Sequence, residues 1–145
     1  MNARPKTGMP PPPVRLHVGG EFDVAAAVMG ARHFCAGLGA TPVCAAHVAT
    51  AVSELANNLW MHSCGGGHVV LRALAAPGSV GVEVLVQDDG PGIADVALAM
   101  SEGYSTAGGL GCGLPGVRRL MDEFELDSAP GRGTRVLARK WWSHG

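Results

Sequence analysis

Between Asp88 and Gly116 the chain reads Asp-Asp-Gly-Pro-Gly-Ile, then a linker, then Gly-Tyr-Ser-Thr-Ala-Gly-Gly-Leu-Gly-Cys-Gly-Leu-Pro-Gly. Gly90 and Gly92 form a first cluster; Gly108, Gly109, Gly111, Gly113 and Gly116 form a second. Glycines at this density admit positive φ and let backbone N–H groups approach a ligand with no Cβ in the way. Amides that converge on a helix start make an anion site, which a phosphate fits best. Asp88 ends an apolar run. Its carboxylate could accept a hydrogen bond from an exocyclic base amine, a preference for adenine over guanine. The plainer reading of an Asp before glycine is a turn cap. The flanking glycine clusters favour the base-binding role, and the stretch reads as a nucleotide pocket.

A second constellation lies upstream. Glu54, Asn58 and His62 recur every four residues, so on a helix their side chains share one face. A solvated surface stripe is the plain alternative. Against it, the segment from Ala45 to Met61 is otherwise almost wholly apolar, with Ser53 and Asn57 the other exceptions. A carboxylate and an amide on such a helix are better placed lining a cavity. Amide and carboxylate oxygens suit Mg²⁺, and a carboxylate can accept the proton of an attacking hydroxyl.

The elements that must position these groups follow from periodicity. Val14, Leu16 and Val18 alternate with Arg15 and His17, the period of a half-buried strand, and Gly19 and Gly20 end it. Asp23 is placed to cap a helix running to about Leu38, with Val24, Val28, Ala31 and Cys35 or Leu38 inward; Gly39 would stop it. Thr41-Pro42 opens a second helix with a core stripe of Val48, Val52, Leu55 and Leu59, ended by Gly65, Gly66 and Gly67. His68–Leu74 and Val80–Val86 read as an antiparallel pair turned by Pro77-Gly78-Ser79, with Asp88 just past the second strand. A short helix is expected over Asp95–Met100, and another over Leu114–Met121, emerging from the glycine cluster. Phe124–Asp127 and Thr134–Trp141 are two more strands, joined by Ser128 to Gly133. The order β, α, α, β, β, loop, α, β, β specifies an α/β two-layer sandwich with helices on one face.

The bulk numbers bound the rest. At 145 residues the simplest organisation is one domain over 14–142, large enough for a real core, preceded by a proline-rich tail over 1–13 that is expected to be disordered or polyproline-like. The net charge is −1, with Lys and Arg dispersed. That argues against a dedicated nucleic-acid or membrane-surface binder. No apolar run approaches bilayer length, and the first residues lack the apolar core of a signal peptide, so a cytoplasmic location is expected. Cys35, Cys44, Cys64 and Cys112 show no paired spacing. Cys44 with His47, and Cys64 with His68, would each be half of a metal site with no second half to complete it. Reduced thiols are the expectation.

Other nucleotide signatures are excluded directly. No Gly-x-x-x-x-Gly-Lys-Ser/Thr string occurs, so this is not a P-loop protein. Gly111-x-Gly113-x-x-Gly116 matches the dinucleotide fingerprint but follows a loop containing Tyr104, Ser105 and Gly108, not the strand that fingerprint needs. His-Arg-Asp and Asp-Phe-Gly are both missing, and with them the usual protein-kinase machinery. No nucleophile-elbow pattern surrounds any serine.

Glu54-x-x-x-Asn58, Asp88-x-Gly90-x-Gly92, the glycines from 108 to 113, and Gly131-x-Gly133-Thr134 stand in that order along the chain. This ordered set resembles the GHKL ATPase family, shared by gyrase, MutL, histidine kinases and anti-sigma-factor kinases. Gly103-Tyr104-Ser105-Thr106, the run from Gly109 to Val117, and Leu120-Met121-Asp122-Glu123-Phe124 are similar to the small serine kinases of bacterial partner-switching systems, the kind that works with the stressosome. The resemblance covers roughly Val14 to Trp142. It implies the Bergerat fold, with a mixed, mostly antiparallel sheet, and a site for ATP and Mg²⁺.

Carried over by position, the resemblance makes Glu54 the general base for a protein serine hydroxyl and Asn58 the Mg²⁺ ligand. Asp88 would bind the adenine amine, with Gly90 and Gly92 shaping that wall. Gly108, Gly109, Gly111 and Gly113 would hold phosphates, and Thr134 would add a hydroxyl near the base. The segment from Ala94 to Ala107 would be a nucleotide lid. His62 occupies a position that the family fills variously. The implied activity is ATP-dependent phosphorylation of a serine on a STAS-domain antagonist or scaffold, followed by binding and activation of a serine phosphatase. The rival implied by the same fold is an anti-sigma factor that sequesters a sigma factor directly.

Overall fold

The structure is a computed structural model, and it describes residues 10–62, 66–88, 113–129 and 133–143. Among the described residues the elements are β1 (Val14–Val18), α1 (Glu21–Gly37), α2 (Pro42–His62), β2 (Gly67–Ala76), β3 (Ser79–Asp88), α3 (Gly113–Leu120), β4 (Glu123–Ala129) and β5 (Gly133–Ser143). The strands form one sheet in the order β1-β2-β3-β5-β4, and all four pairings among them are antiparallel. The element order matches the one read from periodicity. The expected helix over Asp95–Met100 and the segment from Ala94 to Ala107 lie outside the described residues.

The two long helices form a hairpin whose joint is specified residue by residue. α1 ends in a complete Schellman motif: Ala40 N–H donates to Cys35 O at 3.0 Å and Gly39 N–H to Ala36 O at 3.1 Å. Gly39 takes φ +75°, the left-handed conformation that glycine adopts without penalty. Two residues later Thr41 caps α2, its Oγ1 accepting from Cys44 N–H at 3.1 Å, and Pro42 occupies the first helical position, where a missing N–H costs nothing.

At the start of α1 the structure corrects the sequence reading. Gly20, not Asp23, is the N-cap residue, and no side chain caps the helix there. Asp23 lies within the first turn and reaches back, its Oδ2 accepting from Gly19 N–H at 2.8 Å. The carboxylate accepts from the backbone N–H just before the cap and sits where the helix dipole favours negative charge. An aspartate at the end of a helix's first turn is hard to tell from a cap by spacing alone. The strands also run longer than the hydrophobic alternation predicts. β4 and β5 reach Ala129 and Gly133 because Ser128 pairs with Thr134 and Ala129 with Gly133 in register, so their connection shrinks to three residues. Asp88 is the last residue of β3, paired with Gly67, rather than a residue beyond it.

The core lies between the helices and one face of the sheet. Val48, Val52, Leu55 and Leu59 of α2 are at most 3% exposed, as their spacing predicts. They meet Val69, Leu71, Val82, Val84, Val136 and Ala138 from the sheet. α1 adds Val24, Ala27, Ala31, Phe34 and Cys35. Burial pushes the Cys35 thiol up to about 12, the neighbouring Cys44 adding to the shift, so Cys35 is a protonated, inert core residue at neutral pH. Among the described residues no helix is long and apolar enough to cross a membrane.

Candidate active site

Antiparallel pairing puts directly opposed residues on the same face of a sheet. Val86 and Val136 are buried in the core, so Asp88 and Thr134, two residues further along β3 and β5, lie on the same helix-facing side at one end of the sheet. There Thr134 N–H donates to Asp88 Oδ1 at 3.3 Å. Thr134 is buried, 9% exposed, and its Oγ1 shares a 3.0 Å hydrogen bond with Ser128 Oγ of β4. Three strands thus converge on one carboxylate end, a hydroxyl pair behind it.

Two glycines make this convergence possible. Gly133 has φ +81°, and a Cβ there would strike the Asp88 carbonyl oxygen and come within 3.1 Å of its Oδ1. Gly67 faces Asp88 from the other side: a Cβ would strike Gln87 O and stand 2.8 Å from Leu59 Cδ2 and 3.0 Å from Asp88 Cα. The second contact matters most, because Leu59 belongs to α2. It seats the C-terminal half of α2 directly on the strand end that carries Asp88.

That half of α2 carries Glu54 and Asn58, one turn apart. Glu54 is 9% exposed, and among the described residues no hydrogen bond or ion pair engages its carboxylate. Asn58, half-buried, follows on the same face. A carboxylate so placed, at the edge of the apolar core and without a described partner, is available to a ligand. α3 packs against α2, buries Leu114, Pro115, Gly116 and Val117, and starts at Gly113 with φ +52°. Its first-turn amides lack intrahelical partners, as at any helix start.

Of the residues singled out in the sequence, the structure gathers Asp88 and Thr134, places Glu54 and Asn58 on the helix seated beside them, and sets Gly113 at the head of α3. Gly90, Gly92, Gly108, Gly109 and Gly111 lie outside the described residues, as does the side chain of His62. Sequence reading missed Ser128, which it assigned to a loop, and Gly67, which it read only as a helix terminator. The signal for Ser128 was available: a Ser and a Thr flanking a short Gly-containing turn are placed to pair across a hairpin.

The chain matches the histidine kinase-like ATPase domain over residues 21–140. It is 45% identical over 121 residues to the serine/threonine-protein kinase RsbT of Bacillus subtilis, covering 83% of this chain and 90% of that one. It is 35% identical over 101 residues to the anti-sigma F factor of Caldanaerobacter subterraneus subsp. tengcongensis, 66% of this chain and 69% of that one, and 33% over the same length to that of Thermoanaerobacter sp.. A solved mycobacterial sensor histidine kinase, MprB, superposes with a TM-score of 0.49 at 23% identity, over 66% of this chain and 70% of that one. The domain match and the 45% identical relative define the class: the chain belongs to the histidine kinase-like ATPase family, whose domain uses ATP. Within that family it stands with the serine/threonine kinases of the RsbT kind.

Proposed function

We propose that the protein is an ATP-dependent serine kinase of a partner-switching pathway, acting on a serine of a small STAS-domain antagonist or scaffold and then binding and activating a serine phosphatase. One observation carries the reading to the chemistry: Glu54, a buried residue whose carboxylate has no partner among the described residues, stands one helical turn before Asn58 in a chain 45% identical to a serine/threonine kinase over most of its length. Glu54 would accept the proton of the substrate serine hydroxyl as it attacks. Asn58 would hold Mg²⁺ through its side-chain carbonyl oxygen, the hard donor that this ion takes. Asp88 would accept the adenine amine, its strand end kept open by Gly133 and Gly67, whose missing Cβ atoms leave a cradle no other residue would. Thr134 and Ser128 would line the back of that cradle. The amides at the start of α3, with those of the preceding glycines, would face the phosphates. Bound Mg²⁺-ATP supplies the transferable phosphoryl group and neutralises charge that builds on it.

Radiolabelled transfer onto candidate STAS proteins tests this reading. Labelling of a single serine, lost in Glu54→Gln, is the expected result. A second reading, direct sequestration of a sigma factor, draws support from the anti-sigma F relatives. ATP binding with no transfer to any STAS candidate, and a sigma factor recovered with the protein from extract, would replace the first with the second.

A further inference from the structure

The helices cover one face of the sheet; the other has no described element on it. The middle of that open face is satisfied within the chain. One row is aliphatic at its centre, with Val70, Leu85 and Leu137 side by side. The next is ionic: Arg72, Glu83, Arg139 and Glu123. Glu83 accepts from Arg72 Nε at 3.1 Å and Arg139 Nε at 2.9 Å, and Arg139 Nη1 reaches Glu123 at 2.9 Å. The outward row beside Asp88 is built differently. It aligns His17, His68, Gln87, Arg135 and Asp127, and its first two members set one imidazole directly against another. Their ring centroids are 5.4 Å apart, the planes tilted by 60°.

Val18 and Val69 are buried in the core, so His17 and His68, their neighbours along each strand, point to the open face. His17 is exposed and His68 half-buried. Among the described residues no hydrogen bond or ion pair engages either ring. A tilted aromatic pair is an ordinary contact, but it uses ring faces and edges and leaves the nitrogens without partners. Gly19 adds room beside one of them. A Cβ there would stand 2.8 Å from His17 Nε2, and glycine keeps that approach open.

We infer that His17 and His68 form a binding site for a late first-row divalent metal ion, Zn²⁺, Ni²⁺ or Cu²⁺, with water completing the coordination. Imidazole nitrogen suits these ions, whereas Mg²⁺ and Ca²⁺ take oxygen. The spacing fits one shared ion. A ligating nitrogen stands about 2.1 Å from the metal and its ring centre about 1.1 Å further back, so two rings at a tetrahedral angle have centroids about 5.2 Å apart. The pair already stands close to that separation. Spacing along the chain gave His68 only half of a site; strand pairing supplies His17 as the other half. Because the ligands come from two strands, a bound ion would clamp β1, the edge strand, onto β2. The site lies on the opposite face of the sheet from Asp88 and Thr134, separate from the Mg²⁺ proposed to accompany the nucleotide.

Calorimetric titration of the full chain without nucleotide, with Ni²⁺ alone and then Zn²⁺ alone, reads the inference. The wild type is expected to bind a single equivalent of either ion and to show no such site for Mg²⁺. His17→Gln and His68→Gln should each weaken Ni²⁺ binding at least about tenfold, or roughly 1.4 kcal/mol, because one imidazole alone lacks the chelate. His33→Gln, at an exposed position on α1, should leave it unchanged. Circular dichroism confirms that each variant is folded, and saturating Ni²⁺ should raise the melting temperature of the wild type but of neither β-strand variant. With Cu²⁺ as the probe, electron paramagnetic resonance should show coupling to two imidazole nitrogens, reduced to one in each of those variants. A wild type that binds none of these ions would overturn the inference. So would binding indifferent to both substitutions, or carried by one histidine alone, which would mark an adventitious ion only.

Discussion

Two carboxylates in this molecule are almost equally withdrawn from water and are treated in opposite ways. Glu83, 4% exposed on the open side of the sheet, lies between the guanidinium groups of Arg72 and Arg139. Glu54, 9% exposed beside the helix-facing core, has no such partner among the described residues. The first is a satisfied charge whose partners reach solvent, the arrangement that makes a buried ion tolerable. The second, at the edge of the core and without a described partner, is left available to a ligand or a reacting group that completes the site. The difference separates the carboxylate that holds the sheet together from the one available for chemistry.

The sharpest way to break this contrast is to neutralise each in turn. Glu54→Gln is expected to slow phosphoryl transfer by about 10²–10⁴-fold, the range for loss of a general base, while nucleotide affinity and melting temperature hold or rise slightly. A radiolabel assay beside a thermal melt reads both; wild-type transfer rates would end the general-base role. Glu83→Leu should do the reverse, lowering stability by about 1–3 kcal/mol because two arginines lose their acceptor, less than for a fully buried pair since both reach solvent. Urea unfolding measures it, with turnover per folded molecule unchanged.

A second pair of variants tests whether Asp88 belongs with Glu54 as a site residue or with Glu83 as a structural one. Asp88→Asn exchanges an acceptor oxygen for a donor and should cost about 1–3 kcal/mol of nucleotide affinity, read by calorimetry. Gly133→Ala should act on the same readout, because its Cβ collides with the Asp88 carbonyl and crowds Oδ1 without changing the carboxylate's charge. Unchanged affinity in both would return Asp88 to a turn-capping role.

The smallest effect concerns the exposed end of the ionic row. The Trp141 indole N–H, at 2.6 Å, and then the Arg139 guanidinium hold the Glu123 carboxyl below its ordinary value of 4.5. A carboxylate depressed in the folded state binds fewer protons there than in the unfolded chain. Its contribution is therefore complete above about pH 4.5 and is lost as pH falls through the lower folded value. Melting temperatures should be flat from neutrality to about pH 5 and decline below, with a shallower decline in Glu123→Gln.

How much of this was legible in the chain differs between the two carboxylates. The i, i+4 spacing of Glu54 and Asn58 and the core stripe beside it, Val48 to Leu59, follow from helical periodicity alone, and the structure places them as read. The Asp88–Thr134 approach needed strand register, but the order of glycine motifs pointed to the region. Glu83 went unremarked because its environment is built from Arg72 and Arg139, which are distant in sequence and become neighbours only when three strands pair. Ser128 was missed for a related reason: hydrophobic alternation fades at strand ends, where pairing by side-chain hydroxyls takes over. Asp23 was misassigned by one turn because a carboxylate serves either position at a helix start.

The 3.3 Å bond from Thr134 N–H to Asp88 also has a bearing on how the molecule assembles. It joins residues 46 apart in sequence, whereas the α1–α2 joint is closed by bonds spanning three to five residues. Local contacts form early and long loops close late. The helical hairpin should therefore gain structure before β5 docks on β3, and the cradle around Asp88 should be among the last features completed. Ligand binding would then report on the finished chain rather than on any partly folded form, and a nucleotide present during refolding would act by trapping the product, not by guiding the path.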